Sequence, residues 1–154
     1  MKNSMTLNIK SLSINESFAR STVAAFCAQV NPSLNDILDI KTAVSEAVTN
    51  SIVHAYPNEV GDIKINVVLK DNFVTISITD YGIGIYDIEK AKEPFYTTKP
   101  DEERSGMGFT VMESFMDSLE LKNNTTKGIT IKMTKNLTIE TQAMVANDWP
   151  RRNT

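Results

Sequence analysis

The sequence contains six glycines, and four of them form two short patterns, Asp80-x-Gly82-x-Gly84 and Gly106-x-Gly108. Glycine is favoured where the backbone must take a positive φ or approach a ligand closely. The second pattern directly precedes a predicted helix, so its amides and the helix N-terminus would form an anion site suited to phosphates. No P-loop pattern occurs in the sequence, which excludes that class of nucleotide site. Taken alone, each glycine pattern also fits hairpin or helix-cap glycines.

Two polar side chains of one predicted helix have types that serve phosphate chemistry. Glu46 and Asn50 are four residues apart and therefore project from the same helix face. The carboxylate could accept a proton, and the amide oxygen could ligate a hard cation such as Mg²⁺. The same pair also fits a solvated polar face. Asp80 closes an apolar strand, where it could cap a turn or, at the bottom of a pocket, accept a hydrogen bond from the amine of adenine.

The elements that would position these residues follow from the hydrophobic periodicity. Apolar–polar alternation predicts strands, and apolar stripes at helical spacing predict helices. Ser13 and Glu16 predict a capping box for the first helix, with Phe18 and Phe26 on its buried side. Ser33 predicts the N-cap of the second helix. The predicted strands span about 6–12, 63–69, 73–79, 119–122 and 129–134, and the predicted helices span about 14–29, 34–55 and 107–116.

The order of these elements is β-α-α-β-β-loop-α-β-β. Because the strands mostly come in consecutive pairs, the order predicts an α+β fold with an antiparallel or mixed sheet covered by helices on one face. Residues 86–105 show no sustained periodicity, which predicts a long loop, a kind of segment that often serves as a lid. The length of 154 residues predicts a single domain. We place this domain at residues 1–136, followed by a weakly ordered tail at 137–154.

The composition is that of a globular chain, with 41% hydrophobic and 23% charged residues. A net charge of -3 argues against a general nucleic-acid surface. No apolar run approaches the ~20 residues of a membrane span, and the N-terminus lacks the apolar stretch of a signal peptide. Cys27 is the single cysteine, which fits a reducing compartment and a buried structural thiol. We therefore expect a cytoplasmic protein with no direct nucleic-acid or membrane contact.

Five segments resemble, in the family's order, the motifs of the GHKL (Bergerat-fold) ATPases and kinases. Residues 46–50 (EAVTN) resemble the N-box, 80–84 (DYGIG) the first glycine box, and 106–109 (GMGF) the second. Residues 94–99 (PFYTTK) resemble the lid-flanking F-box, and 128–130 (GIT) match a late strand near adenine. Each segment alone is a weak signal, but five in order are specific. The resemblance implies a two-layer α/β sandwich with a mixed, mostly antiparallel sheet, helices on one face and an ATP lid.

The same resemblance implies a site for ATP and Mg²⁺. Asn50 would ligate the Mg²⁺ ion that bridges the phosphates. Asp80 would accept from the adenine amine, and Thr130 would support that contact. The residues implied to bind the nucleotide are Asn50, Asp80, Gly82, Gly84, Thr98, Lys99, Ser105, Gly106, Met107, Gly108, Phe109 and Thr130.

The implied catalytic residues indicate a branch of this superfamily. Members that activate a hydroxyl or water carry a glutamate at the position of Glu46, whereas the histidine kinases usually carry another residue. Lys99 and Arg104, in the implied lid, are candidates for contact with the γ-phosphate. A phosphoacceptor hairpin or further clamp domains do not fit the length, which leaves the serine-kinase branch of anti-sigma factors. Gly82 and Gly84 are both present, which favours the sporulation type.

This branch implies a homodimer with two protein partners. With ATP bound, it would hold the sporulation sigma factor, sigma factor F, away from RNA polymerase. It would also transfer the γ-phosphate to a serine of an anti-anti-sigma factor. Arg20 is a candidate contact for both partners, although without the resemblance it would be interpreted as a solvated arginine. A general-stress type of kinase and an ATP-dependent sigma-binding module without turnover are the alternatives.

Overall fold

A five-stranded sheet forms one layer of the molecule. The computed structural model describes residues 1–93 and 108–141. The strands are β1 (Lys2–Lys10), β2 (Asp62–Lys70), β3 (Phe73–Asp80), β4 (Ser118–Asn123) and β5 (Ile129–Asn136). They lie in the order β1-β2-β3-β5-β4, and each neighbouring pair is antiparallel. The expectation of a mostly antiparallel sheet is confirmed, and the described sheet contains no parallel pair.

Helices form the second layer. They are α1 (Ile14–Cys27), α2 (Leu34–Asn50), α3 (Ile88–Ala91) and α4 (Gly108–Phe115). A 3₁₀ turn (Ala28–Val30) follows α1, and a π-helical turn (Ser51–Ala55) follows α2. The short α3 lies in the segment for which we predicted a loop. No helix in the described ranges combines the length and apolar character that crossing a bilayer requires.

One face of the sheet packs against the helices and forms the core. Side chains along the strands alternate between buried and accessible, as in β2, where Ile63, Ile65 and Val67 are buried. They form one cluster with helix residues such as Val44 and Met112. The opposite sheet face is mostly polar, and its exposed and half-buried residues are largely threonine, serine, asparagine and lysine. This pattern explains why the helices cover one face only.

Helix α1 buries a different face from the one that we predicted. Its buried residues include Ala19, Val23 and Cys27, whereas Phe18 is 53% exposed. Of the two predicted phenylalanines, only Phe26 packs against the core, and it is half-buried. Small apolar residues at positions i, i+4 and i+8 allow α1 to lie close to the neighbouring core, which outweighs the larger area of Phe18. Burial raises the pKa of Cys27 to about 12, and this thiol is buried as expected.

The two predicted helix caps have different outcomes. The Ser33 hydroxyl accepts a hydrogen bond from the Asp36 amide at 3.2 Å, which confirms the N-cap of α2. Ser13 makes no side-chain cap hydrogen bond, so the predicted capping box is wrong. The Glu16 carboxylate instead bonds Arg20 and Ser45. These contacts tie α1 to α2 and compete with capping for the Glu16 side chain.

The chain after β5 also packs onto the domain. Leu137 is 2% exposed, and the Thr138 amide donates to the Asp36 carboxylate at 2.6 Å. The Glu140 amide donates to the Asn31 carbonyl at 2.9 Å. The predicted boundary after residue 136 is therefore too early, because these tertiary contacts hold residues 137–140 to the start of α2. The rest of the predicted tail, residues 142–154, lies outside the described residues.

Candidate nucleotide site

The end of α2 meets the end of β3. Directly after Asn50 the helix continues as a π-helical turn, a feature that is frequent at functional sites. The first residue of this turn, Ser51, lies with its hydroxyl 3.5 Å from the Asp80 carboxylate. Two of the predicted site residues, Asn50 and Asp80, are therefore brought together although they are distant in sequence.

The Asp80 carboxylate is buried and only partly satisfied. The side chain belongs to a residue that is 2% exposed, and its Oδ1 accepts from the Gly82 and Ile129 amides at 3.1 and 3.2 Å. Among the described residues, its Oδ2 contacts only the Ser51 hydroxyl, which lies about equally near the Ala47 carbonyl at 3.4 Å. Burial raises the pKa of the Asp80 carboxyl, and the three donors offset part of that shift. Oδ2 therefore retains lone pairs for a further donor, such as an amine.

The Asn50 side chain supplies a second unmet hydrogen-bonding group. Its Nδ2 is buried and has no hydrogen-bond partner among the described residues. A buried donor without an acceptor costs about 1–3 kcal/mol, so such a group points to a missing partner. An oxygen of a phosphate would accept from Nδ2, and the amide oxygen of the same side chain is a suitable ligand for Mg²⁺. The residues present thus fit a magnesium-bound nucleotide.

Helix α4 runs back toward this site. The Lys135 ammonium donates to the carbonyl of Phe115, the last residue of α4, at 2.7 Å. It also lies 3.4 Å from the carboxylate of Asp39, in the first half of α2. The two helices pack together, so α4 lies antiparallel to α2. Seven residues at 1.5 Å of rise place Gly108 about 10 Å from Phe115, on the side of α2 that leads toward Asn50.

Gly82, Gly84 and Gly128 lie at the end of the sheet, and the reason why a larger residue would not fit differs among them. A Cβ on Gly82 would lie 2.2 Å from the Ala55 carbonyl oxygen, and one on Gly128 would lie 2.1 Å from the Asp80 carbonyl oxygen. Gly84 and Gly128 have φ values of +74° and +87°. The Gly82 backbone thus approaches the π-helical turn of the protein itself, and these contacts fix the loop around Asp80.

The structure does not bring the Thr130 hydroxyl to the Asp80 carboxylate. Thr130 lies beside Thr79 on the sheet face opposite to the helices, and the two hydroxyls are 3.0 Å apart. The Thr130 hydroxyl also donates to Asn124 Oδ1 at 2.7 Å. Because side chains alternate along a strand, the neighbouring Ile129 faces the helices and supplies the amide that contacts Asp80. The expected adenine contact of Thr130 is therefore corrected.

The comparison with protein families matches this arrangement. The family model described as the histidine kinase-like ATPase domain matches residues 13–135. A protein of Caldanaerobacter subterraneus subsp. tengcongensis named anti-sigma F factor is 56% identical over 133 residues, which cover 86% of this chain and 93% of that protein. An anti-sigma F factor of Bacillus licheniformis is 52% identical over 138 residues, 89% of this chain and 94% of that protein. The chain belongs to the anti-sigma F factor family.

A solved structure supports the fold of this anti-sigma F factor family member. The crystal structure of the RsbU and RsbW domains of Rv1364c from Mycobacterium tuberculosis aligns with a TM-score of 0.64 and 19% sequence identity. The alignment covers 90% of this chain and 35% of that longer chain. The similarity shows a common fold, and with the family match it confirms the α+β GHKL architecture.

Glu46 and Arg20, the predicted base and partner contact of this family member, line one pocket between α1 and α2. Glu46 is half-buried. The Arg20 guanidinium donates to Glu16 at 2.9 Å, and its side chain is 38% exposed. Phe109, in the first turn of α4, packs against the core, and Gly108 is buried. The predicted site residues that lie outside the described residues are Thr98, Lys99, Arg104, Ser105, Gly106 and Met107.

Several residues that build the site are absent from the sequence-based prediction. Ser51 follows Asn50 directly and contacts Asp80. The Asn124 amide group donates to the carbonyls of Asp80 and Lys127 at 3.0 and 3.1 Å, which ties the β4–β5 turn to the end of β3. The cluster of asparagine, threonine and glycine at 123–128 was the available signal for this turn. Gly128 lies in the segment that carries the family resemblance, but its positive φ is visible only in the structure.

Proposed function

We propose that this protein is an ATP-dependent anti-sigma factor that is also a serine kinase. It binds sigma factor F in the cytoplasm and phosphorylates a serine of an anti-anti-sigma factor. Membership of the anti-sigma F factor family supports the choice of partners, and the histidine kinase-like ATPase domain supports the nucleotide. The observation that carries the proposal is the pair of buried, unsatisfied polar groups, Asp80 Oδ2 and Asn50 Nδ2, at adjoining element ends.

In this proposal each unsatisfied group has one partner on the nucleotide. Asp80 Oδ2 accepts a hydrogen bond from the adenine amine. Asn50 uses its amide oxygen as a metal ligand and its Nδ2 as a donor to phosphate. Gly108 and the preceding residues 106–107 hold phosphates through backbone amides at the start of α4. Mg²⁺ held by Asn50 would supply positive charge that stabilises the transferring phosphoryl group.

In the transfer of phosphate to serine, Glu46 acts as the general base. Glu46 lies one helical turn before Asn50, on the same side of α2, so a serine hydroxyl that contacts it is held near the phosphate end of the nucleotide. Its carboxylate accepts the proton of that hydroxyl as the serine oxygen attacks the γ-phosphorus, and the bond from this phosphorus to the β–γ bridging oxygen breaks to release ADP. Lys99 and Arg104 add positive charge around the γ-phosphate. Arg20, at the edge of the same pocket as Glu46, contacts the protein partners, and the active form is a homodimer.

A transfer assay with a matched pair of variants tests this function. The purified chain is incubated with Mg²⁺, γ-labelled ATP and the anti-anti-sigma factor, and labelled serine is measured. We expect Glu46→Gln to lower the transfer rate about 10²–10⁴-fold while ATP still binds. Glu59→Gln, the same change at an exposed residue of the turn before β2, should transfer at the wild-type rate.

Two other outcomes would contradict the proposal. Equal transfer by wild type and Glu46→Gln would remove Glu46 from the role of base. A wild-type protein that binds sigma factor F only with ATP, and labels no serine at all, would instead be a sigma-binding module without kinase turnover.

A further inference from the structure

The pocket between α1 and α2 is lined mostly by residues that have no role in the proposed nucleotide site. It has a volume of about 270 Å³ and is lined by Arg20, Leu38, Lys41, Thr42, Ser45 and Glu46. Five of these residues come from α2, where spacings of three and four residues place them on one helix face. The pocket therefore runs along the helix from Leu38 to Glu46.

The wall that α1 contributes is fixed by hydrogen bonds. The Glu16 carboxylate accepts from the Arg20 guanidinium at 2.9 Å and also from the Ser45 hydroxyl. This carboxylate bridges α1 and α2 and holds Arg20 along the pocket. A guanidinium has five N–H donors, so Arg20 keeps donors for a ligand while it is held.

The two basic residues give one part of the pocket a positive charge. Lys41 lies one helical turn before Ser45, and its ammonium makes no ion pair or hydrogen bond within residues 1–93 and 108–141. The Glu16–Arg20 pair neutralises part of the charge on Arg20, whereas that on Lys41 is not matched by a described partner. Beyond Lys41, Leu38 is 50% exposed and presents an apolar surface.

We propose that this pocket receives the segment of the protein substrate that carries the acceptor serine, and that Lys41 selects a substrate with an acidic residue beside that serine. The inference rests on the proposed function, because it takes Glu46 as the base. Glu46 connects the pocket with the proposed nucleotide site, since it lines the pocket and also lies one helical turn from Asn50. A serine seated at the Glu46 end is held between the pocket and the nucleotide.

The helix geometry sets the spacing of the two recognised groups. Lys41 and Glu46 are five residues apart, which is about 7.5 Å along the helix axis. An extended segment advances about 3.3 Å per residue. The acidic residue therefore lies within about two residues of the acceptor serine, and an apolar residue further along the segment contacts Leu38.

Charge reversal at both partners tests the inference. The full chain, with Lys41→Glu, is assayed for transfer to the anti-anti-sigma factor at varied substrate concentration. We expect kcat/KM to fall at least tenfold through a higher KM, with kcat and the Kd for ATP within about twofold of wild type. A substrate whose acidic residue nearest the serine is changed to Lys should lose activity with wild type and regain at least part of it with Lys41→Glu.

Lys70→Glu is the matched control, because Lys70 is an exposed lysine at the opposite end of the sheet. It should behave as wild type in every assay. Lys41→Glu kinetics equal to those of Lys70→Glu, or a loss confined to kcat, would overturn the inference and leave the kinase function intact. Absence of transfer by wild type would overturn the proposed function and this inference together, so the two failures are distinguishable.

Discussion

Two buried charged side chains lie at opposite ends of the sheet, and their surroundings differ. Lys135, near the end of β5, donates to the Phe115 carbonyl at 2.7 Å and lies 3.4 and 3.8 Å from the carboxylates of Asp39 and Asp36. Asp80 lies at the end of β3, and one of its carboxylate oxygens has, in the described part of the chain, only a contact of 3.5 Å to Ser51. Within residues 1–93 and 108–141, the charge of Lys135 has hydrogen-bonded and ionic partners, whereas one oxygen of Asp80 has only this long contact.

This difference in partners indicates that Lys135 belongs to a structural ion cluster and that Asp80 belongs to a binding site. Burying a charge is costly unless it is paired and hydrogen-bonded, so a matched cluster is explained by the fold that it holds. Lys135 joins α2, α4 and β5 and sets the direction in which α4 approaches the site. The Asp80 carboxylate is incompletely satisfied by the described residues, and Nδ2 of Asn50, at the adjoining end of α2, has no partner among them. Both groups can therefore accept a further partner.

The largest effect on stability is expected at the end of the sheet where Lys135 lies with its ionic partners. Lys135→Met removes the cation, so Asp36, which is 8% exposed, keeps the Thr138 amide but loses its positively charged partner. Breaking a buried pair costs about 3–5 kcal/mol, and we expect about 3 kcal/mol because Asp39 is more exposed. At about 2–4 °C per kcal/mol for a chain of this size, thermal unfolding should shift down by roughly 6–12 °C. The Kd for ATP below the transition should stay near the wild-type value.

The control for this change is a triple variant. Adding Asp36→Asn and Asp39→Asn to Lys135→Met removes the uncompensated charges and should recover part of the lost stability. A Lys135→Met protein that unfolds at the wild-type temperature would show that the ion cluster is not structural.

The next largest effect is expected at the end of the sheet where Asp80 lies, and it concerns nucleotide binding and not folding. Asp80→Asn keeps an oxygen for the Gly82 and Ile129 amides but replaces the carboxylate that would meet the adenine amine. Hydrogen bonds to charged groups contribute about 1.5–3 kcal/mol, so calorimetry should show ATP affinity lowered about 10- to 100-fold. ATP affinity equal to wild type would contradict the site.

The same variant should be more stable than wild type without nucleotide. Burial raises the pKa of the folded Asp80 carboxyl, so the ionised group opposes folding at neutral pH. This cost is relieved as the pH falls through the folded pKa, and it is absent in Asp80→Asn. Thermal unfolding of the two proteins at neutral pH measures the difference, and a lower transition temperature for the variant would contradict the prediction.

A pH dependence of binding is expected at Asp80. The adenine amine needs the ionised carboxylate as acceptor, and the raised pKa means that protonation begins at a higher pH than for an ordinary aspartate. ATP affinity should therefore weaken on acidification by up to about tenfold per pH unit below that pKa. Asp80→Asn is the control, because it retains the titration of ATP itself and loses that of the carboxyl. Identical pH profiles for the two proteins would exclude the effect.

The smallest effect is expected from the helix caps. Ser33→Ala removes the hydrogen bond to the Asp36 amide and should cost about 1 kcal/mol. Ser13→Ala should cost much less, because the Ser13 side chain caps nothing. Equal losses in chemical denaturation would show that the difference between the two caps is unimportant.

The type and position of the helices and strands could be predicted from the sequence better than the faces that they bury. Alternation and helical stripes predicted the five strands and the three longer helices, because hydrophobic periodicity is the primary signal of element type. The buried face of α1 was predicted only in part, because Phe26 packs against the core whereas Phe18 is exposed and Ala19 and Val23 occupy the close contact. Packing distance between elements is a tertiary property and is not encoded in one helix.

The site was predicted in part for a similar reason. Asn50 and Asp80 could be proposed together from the family motifs, and the structure brings them together. The Thr130 prediction failed because a shift of one residue along a strand moves a side chain to the other sheet face. Ser51 and Asn124 were missed because their contacts link elements that are far apart in sequence.

The most direct test of the central claim is a crystal structure of the protein with Mg²⁺ and a non-hydrolysable ATP analogue. We expect the adenine amine within about 3 Å of Asp80 Oδ2, with the Asn50 side chain at the metal and phosphates. A nucleotide bound elsewhere, or an adenine that leaves the Asp80 carboxylate without contact, would show that these residues do not form the nucleotide site.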